Sequence, residues 1–170
     1  MSAKRAKATA GTPAVRFLEA RRIAHTLHAY DFEPGDLGIG EQAAAALGIA
    51  PARIFKTLIT VIDEARLVSA LVPVHRTADL KALAAAAGGK RAALADLRQA
   101  ERATGYVKGG ISPLGQRQHL PAVVDASVRT LPTVLVNGGR RGLQIALAPD
   151  DLIGALDARV ADILRPAGAV

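Results

Sequence analysis

The 170-residue chain has no cysteine and no tryptophan, only one methionine, and an aromatic content of 3%. Without cysteine there is no disulfide framework, no thiolate nucleophile and no Cys-ligated zinc. Any thiol chemistry must come from a ligand. Long apolar runs are missing too: no stretch could span a bilayer, and the start MSAKRAKATAGTP lacks the apolar segment of a signal peptide. The expectation is a protein of the cytoplasm with no membrane partner.

Half of the residues are hydrophobic, enough for one sizeable core in a chain too short for two domains. The expected division is a basic tail over residues 1–11 and a single folded domain over 12–166. Lys+Arg outnumber Asp+Glu by 22 to 15, a net charge of +7, of which Lys4, Arg5 and Lys7 supply three and leave +4 on the folded part. That balance favours a polyanionic partner such as RNA, although basic proteins without one are common.

The pattern of elements indicates one mixed architecture. Thr12 and Pro13 suit an N-cap and first helical position, opening an amphipathic helix through Val15 and Leu18 that ends near Arg22. HTLHAY (25–30) alternates as a strand, FEPGDLGIG (32–40) reads as a loop, and EQAAAALG (41–48) as a short helix closed by glycine. FKTLITVI (55–62) and RLVSALVPV (66–74) form a hairpin around residues 63–65. DLKALAAAAGG (79–89) is a helix capped by Asp79, and a second helix covers residues 96–103. AVVDAS, TVLVN and LQIAL read as strands, and PDDLIGALD as a helix beginning at Pro149. The irregular alternation and hairpin-short connections predict an α+β domain with a mixed, largely antiparallel sheet flanked by helices.

Elimination narrows the chemistry. His25 and His28 lie three apart on a predicted strand and face opposite sides, while His75 and His119 complete no ligand spacing, so no metal is expected. GISPLG resembles a nucleophile elbow, but Leu114 stands where that motif needs glycine, and Pro113 lacks the N–H that would serve an oxyanion hole. Ser112 is a poor nucleophile. NGGRRG (137–142) reads first as a glycine-rich hairpin turn. Lys56 interrupts an otherwise apolar strand, either as a solvated edge lysine or above a concavity. The loop TGYVKGGISPLGQ (104–116) can present backbone N–H groups to an anion or simply make a tight connection.

Taken together, TPAVRFLE (12–19), H-x-Y at 28–30, FKTL (55–58), TGYVKGGISPLGQ and NGGRRGL (137–143) resemble the YbaK/EbsC group of trans-editing aminoacyl-tRNA deacylases, in order from about Thr12 to Arg165. The resemblance implies a compact α+β domain related to the editing domain of bacterial prolyl-tRNA synthetases. It further implies that the protein needs no cofactor, acts on the acceptor end of an aminoacyl-tRNA, above all Cys-tRNA(Pro), and works in complex with prolyl-tRNA synthetase. Lys56 matches the essential lysine of the group. Gly109, Gly110, Ile111, Ser112 and Pro113 match its G-x-x-x-P loop around the ester, and Tyr30 and Thr57 match pocket positions. Gly138 and Gly139 are its paired glycines.

In the cysteinyl members the thiol of the substrate attacks its own ester, and the protein supplies orientation and charge. Three positions of the implied pocket depart from those members: Ile39 replaces an aromatic residue, Asn137 a serine, and Gln144 stands where at least one member has aspartate. The preferred amino acid therefore stays open to alanine, serine or threonine. A noncatalytic RNA-binding or synthetase-associated module of the same fold is the alternative of a different class; retention of Lys56 together with GGISP favours catalysis.

Overall fold

The longest pairing in the protein is the hairpin of β2 (Phe55–Ile62) and β3 (Arg66–Pro73), in register from Phe55 opposite Pro73 to Ile62 opposite Arg66. Its turn places Asp63 and Glu64 at φ of 52° and 57°, as a tight right-twisting connection requires. The computed structural model describes residues 11–35 and 37–168. The remaining elements are α1 (Pro13–Ala20), β1 (Thr26–Ala29), α2 (Ile39–Leu47), α3 (Leu80–Ala86), β4 (Ala92–Leu94), α4 (Leu97–Thr104), β5 (Ala122–Asp125), β6 (Val134–Asn137), β7 (Leu143–Leu147), α5 (Pro149–Leu156) and β8 (Arg159–Ala161). Among the described residues no helix is long and apolar enough to cross a membrane.

The strands form two sheets, one of order β1-β7-β6 and one of order β4-β2-β3-β5-β8. Only the β3–β5 and β5–β8 pairs are parallel, so the expected α+β domain with mixed, largely antiparallel pairing is what forms, divided over two sheets. A single parallel bridge between Ile54 and Leu135 stitches the sheets together at the start of β2. Apolar side chains from both sheets and from α1 and α5 fill the largest core cluster, while α3 covers the second sheet through Leu83.

Local chemistry fixes the helix ends. Asp79 and Asp96 accept N–H bonds from Ala82 and Gln99 at 3.0 and 2.8 Å, satisfying donors that a first helical turn leaves unpaired. Thr12 does two jobs. Its hydroxyl accepts from Val15 N at 3.2 Å and donates to Gly138 O at 2.7 Å, so the cap of α1 also holds the β6–β7 turn.

Several boundaries differ from the sequence reading. Helix α2 begins at Ile39, two residues inside the stretch read as loop, because Gly38 serves as its N-cap. AVVDAS stays extended only to Asp125, whose carboxylate accepts from Ser127 N and Ile163 N at 3.0 Å each and turns the chain into a 3-10 helix. The short strands β4 and β8 carry no alternation long enough to be read. The expected tail lies outside the described residues apart from Gly11.

The 104–116 loop is anchored from below. Leu114 is 1% exposed within the main core, a burial that contributes about 1.5–3 kcal/mol. Its carbonyl accepts a 2.6 Å hydrogen bond from the Tyr106 hydroxyl. Burial pushes that phenol well above the ordinary tyrosine value of 10.0, against a smaller downward pull from the Ala14 backbone. The unfolded chain ionises Tyr106 first, so its contribution to stability is complete below the ordinary value and declines as pH climbs past it. Alkaline unfolding followed by circular dichroism should show this. Tyr106→Phe is expected to be less stable than the parent at neutral pH, with the gap narrowing above about pH 10; a constant gap would remove Tyr106 from the alkaline limb.

Candidate active site

Lys56 is the second residue of β2, opposite Val72, where the two sheets meet beside the Ile54–Leu135 bridge. A cleft of about 150 Å³ opens there. Ile54, Phe55, Lys56 and Thr57 form one wall. Ile39 and Gly40 at the start of α2 form another, with Val74 beneath, and the opposite side comes from Gly109 and Ile111 of the loop and from Asn137 and Gln144 of the β6–β7 hairpin. Larger hollows exist, such as one of about 370 Å³ bordered by Leu80, Lys81 and Ala92, but none of the glycine-loop residues reaches it.

Two glycine loops 28 residues apart close the cleft by touching each other. Gly110 lies so near the β6–β7 turn that a Cβ there would stand 2.8 Å from the Arg140 Cα, a backbone contact no side chain could relieve. Asn137 locks this approach. Its Nδ2 donates to Gly109 O at 3.1 Å, and its Oδ1 accepts from Gly139 N at 2.7 Å. The hairpin turn expected for NGGRRG is present, closed by Gly138 N donating to Leu143 O at 2.8 Å, and it also supports the other loop.

The polar groups of the cleft are sparse. Among the described residues no carboxylate pairs with the Lys56 ammonium, which is half-exposed. Thr57 Oγ1 and Gln144 Oε1 are buried without hydrogen-bond partners, and so is the hydroxyl of Tyr30 behind them. Burial raises the pKa of Tyr30, while the Gly142 backbone and the Gln144 side chain draw it back a little; Tyr30 and Gln144 sense each other without completing a hydrogen bond. Positive charge surrounds the mouth. Lys108 is exposed next to Gly109, and the exposed Arg141 holds its guanidinium carbon 5.3 Å from the centre of the Phe32 ring.

Of the residues singled out from the sequence, the cleft brings together Ile39, Lys56, Thr57, Gly109, Ile111, Asn137 and Gln144. Tyr30 stands one layer back. Gly110, Gly138 and Gly139 shape the loops without lining the cleft. Ser112 is fully buried, its Oγ accepting from Leu114 N at 3.2 Å and its carbonyl from Gln116 Nε2 at 3.0 Å, so it belongs to the scaffold of the loop. Pro113 faces a different hollow beside Phe17 and Gln116.

Gly40, Ile54, Phe55 and Val74 line the cleft without having been singled out. Gly40 has a readable signal in the G-I-G spacing, since any Cβ at that position would collide with Val74. The three apolar residues show only the periodicity of a core. His25 and His28 make local hydrogen bonds, to Ile23 O at 2.8 Å and with Thr26 Oγ1 at 2.9 Å.

A cation and glycine-rich backbone around a small cleft, with no side chain placed as a nucleophile, suit binding and polarisation of a small ester. Comparison with known proteins points the same way. A model of the aminoacyl-tRNA editing domain family matches residues 38–155. The chain is 34% identical over 152 residues, 89% of its own length and 92% of the other's, to an Enterococcus faecalis protein named as a candidate Cys-tRNA(Pro)/Cys-tRNA(Cys) deacylase, EbsC. A crystal structure of a candidate trans-editing enzyme for prolyl-tRNA synthetase superposes with a TM-score of 0.76 at 25% identity, covering 90% of this chain and 95% of the other. A hypothetical protein of known structure gives 0.79 at the same identity, covering 90% and 99%. With the family match extending over well more than half of its length and a relative aligned almost end to end, the chain belongs to the aminoacyl-tRNA editing family, in its YbaK/EbsC group.

Proposed function

We propose that this protein is a free-standing deacylase that removes wrongly attached amino acids from tRNA, with Cys-tRNA(Pro) as its preferred substrate and the cytoplasm as its place of work. Editing is the cleavage of the ester between an amino acid and the terminal ribose of tRNA, and the named relative and the prolyl-tRNA synthetase neighbour favour this substrate over others. The carrying observation is the convergence of Lys56 and the Gly109 loop on one small cleft that holds no cysteine and no accessible serine. Such a site takes its nucleophile from the substrate or from water, and a cysteinyl thiol is the stronger of the two.

The cysteinyl thiol gives its proton to solvent water and its sulfur attacks the ester carbonyl, forming a C–S bond and a tetrahedral oxyanion. The Lys56 ammonium and the N–H groups of the loop stabilise that charge. Collapse breaks the C–O bond, the ribose oxygen takes up a proton from solvent water, and a cyclic thiolactone leaves. Lys108 and Arg141 at the mouth suit the phosphates of the acceptor end. Prolyl-tRNA synthetase, which makes the mischarged product, is the natural partner for handover.

A panel of tRNA(Pro) charged with proline, alanine, serine or cysteine tests the reading. Cysteine should be released fastest and proline spared. Turnover of none of the four would return the protein to the class of noncatalytic RNA-binding modules.

A further inference from the structure

Five buried side-chain atoms among the described residues lack a hydrogen-bond partner, and two of them, Thr57 Oγ1 and Gln144 Oε1, belong to residues that line this cleft, with a third, Tyr30 Oη, beside Gln144. Orphaned polar atoms are costly in a folded interior and are normally paired. Two in the wall of one cleft are best explained by a ligand that completes them. Thr57 and Gln144 line the cleft directly, and Tyr30 is beside Gln144 without lining it. Gln144 is 2% exposed and Tyr30 7%, so bulk water does not compensate them.

The chemistry of the set identifies the missing group. An amide oxygen can only accept, and a threonine hydroxyl can turn a lone pair toward a donor. The counterpart is therefore a hydrogen-bond donor, and an ammonium with its three N–H groups can reach both. Apart from Lys56 the remaining lining is largely apolar, from Ile39, Ile54, Phe55, Val74 and Ile111, which suits a small side chain and leaves the donor to the substrate's amine.

Resting on the deacylase reading, we infer that Thr57 and Gln144 form a receptor for the free α-ammonium of the aminoacyl ester, with Tyr30 as a positioning residue for Gln144. The protein then distinguishes an ester with a free amine from one whose amine is acylated. A deacylase built this way leaves formylated and peptidyl esters untouched while clearing aminoacyl ones. Lys56 and the glycine loop, which address the ester, make no such distinction.

The test uses two non-hydrolysable probes, 3′-alanylamino-3′-deoxyadenosine and its N-acetyl derivative, titrated calorimetrically into the parent, Thr57→Val and Gln144→Leu. The parent should bind the free amine about tenfold or more tightly than the acetylated probe, as loss of a charge-assisted hydrogen bond predicts. Gln144→Leu should bring the two affinities close together. Because it removes an unpaired acceptor, its melting temperature without ligand should rise by roughly 2–4 °C; a merely structural role would lower it. Equal binding of both probes by the parent, binding of neither, or an unchanged preference in Gln144→Leu would overturn the inference. Failure of the deacylase reading is separable: it would appear as no turnover of any aminoacyl-tRNA while the preference for the free amine persists.

Discussion

Replacing Lys56 by alanine is expected to leave the protein folded and to lower the rate of deacylation by on the order of 10²–10³-fold, the range found when one preorganised donor to a developing oxyanion is removed. Lys56 stands at the edge of the cleft, half-exposed and with no carboxylate paired to it among the described residues, so its removal strands no opposite charge in the interior. Stability should then change by no more than about 0.5 kcal/mol, as for surface positions outside a network. The division of the loss between kcat and KM tells what the ammonium does. A fall in kcat with KM unchanged assigns it to the transition state, whereas a rise in KM alone makes it a clamp on a phosphate or ribose. Lys56→Arg keeps the charge but spreads it over a planar fork, so partial rescue is expected. Near-normal turnover in a folded Lys56→Ala protein would remove Lys56 from the mechanism and with it the present account of the site.

Lys56 stood out in the sequence as a lone cation breaking the pattern of an apolar strand, which left a solvated edge and a concavity equally open. The resemblance favoured the second, and the structure puts Lys56 in the wall of the cleft. Gln144 breaks a pattern of the same kind, an amide inside LQIAL, but only the structure shows that its oxygen has no partner. Six of the eight strands and the α+β class followed from alternation and turn chemistry, which are local, whereas the division into two sheets and the short strands β4 and β8 did not. What could not be read is non-local. Asn137 holds Gly109 across 28 residues, Gly110 presses on the Arg140 backbone, and Thr12 reaches 126 residues forward to Gly138; no periodicity encodes such meetings. Ile39 was implicated only through the resemblance and placed in a loop, because the glycines around it mask the start of α2. Ser112 was set aside as a nucleophile and implicated only through the resemblance, and its burial was not legible. Burial of Leu114 two residues later draws it into the interior, where its Oγ accepts from Leu114 N.

Cysteinyl-tRNA(Pro) is expected to be cleared on the order of 10²-fold faster than seryl-tRNA(Pro), although the two side chains differ by one atom and both suit a cleft of about 150 Å³. The difference arises from ionisation. A thiol with a pKa of about 8.5 is a few per cent thiolate near neutral pH, while an aliphatic hydroxyl is scarcely ionised at all. Nothing in the cleft corrects this for serine: no histidine or carboxylate lines it, so no side chain there is placed to take a hydroxyl proton. The rate on the cysteinyl substrate should rise with pH and level off near the thiol pKa, and the first product should be the thiolactone, trappable by an added amine before it opens to free cysteine. The seryl substrate should show no such plateau. Ile39, Asn137 and Gln144, which line the cleft, decide whether this holds if the amino-acid side chain packs against them. If this wall instead holds a water molecule over a smaller residue, alanine will be released as the free amino acid from alanyl-tRNA(Pro) while cysteinyl-tRNA is spared. That outcome would overturn attack by the substrate thiol and leave Lys56 and the two glycine loops as the oxyanion-stabilising parts of a water-using deacylase.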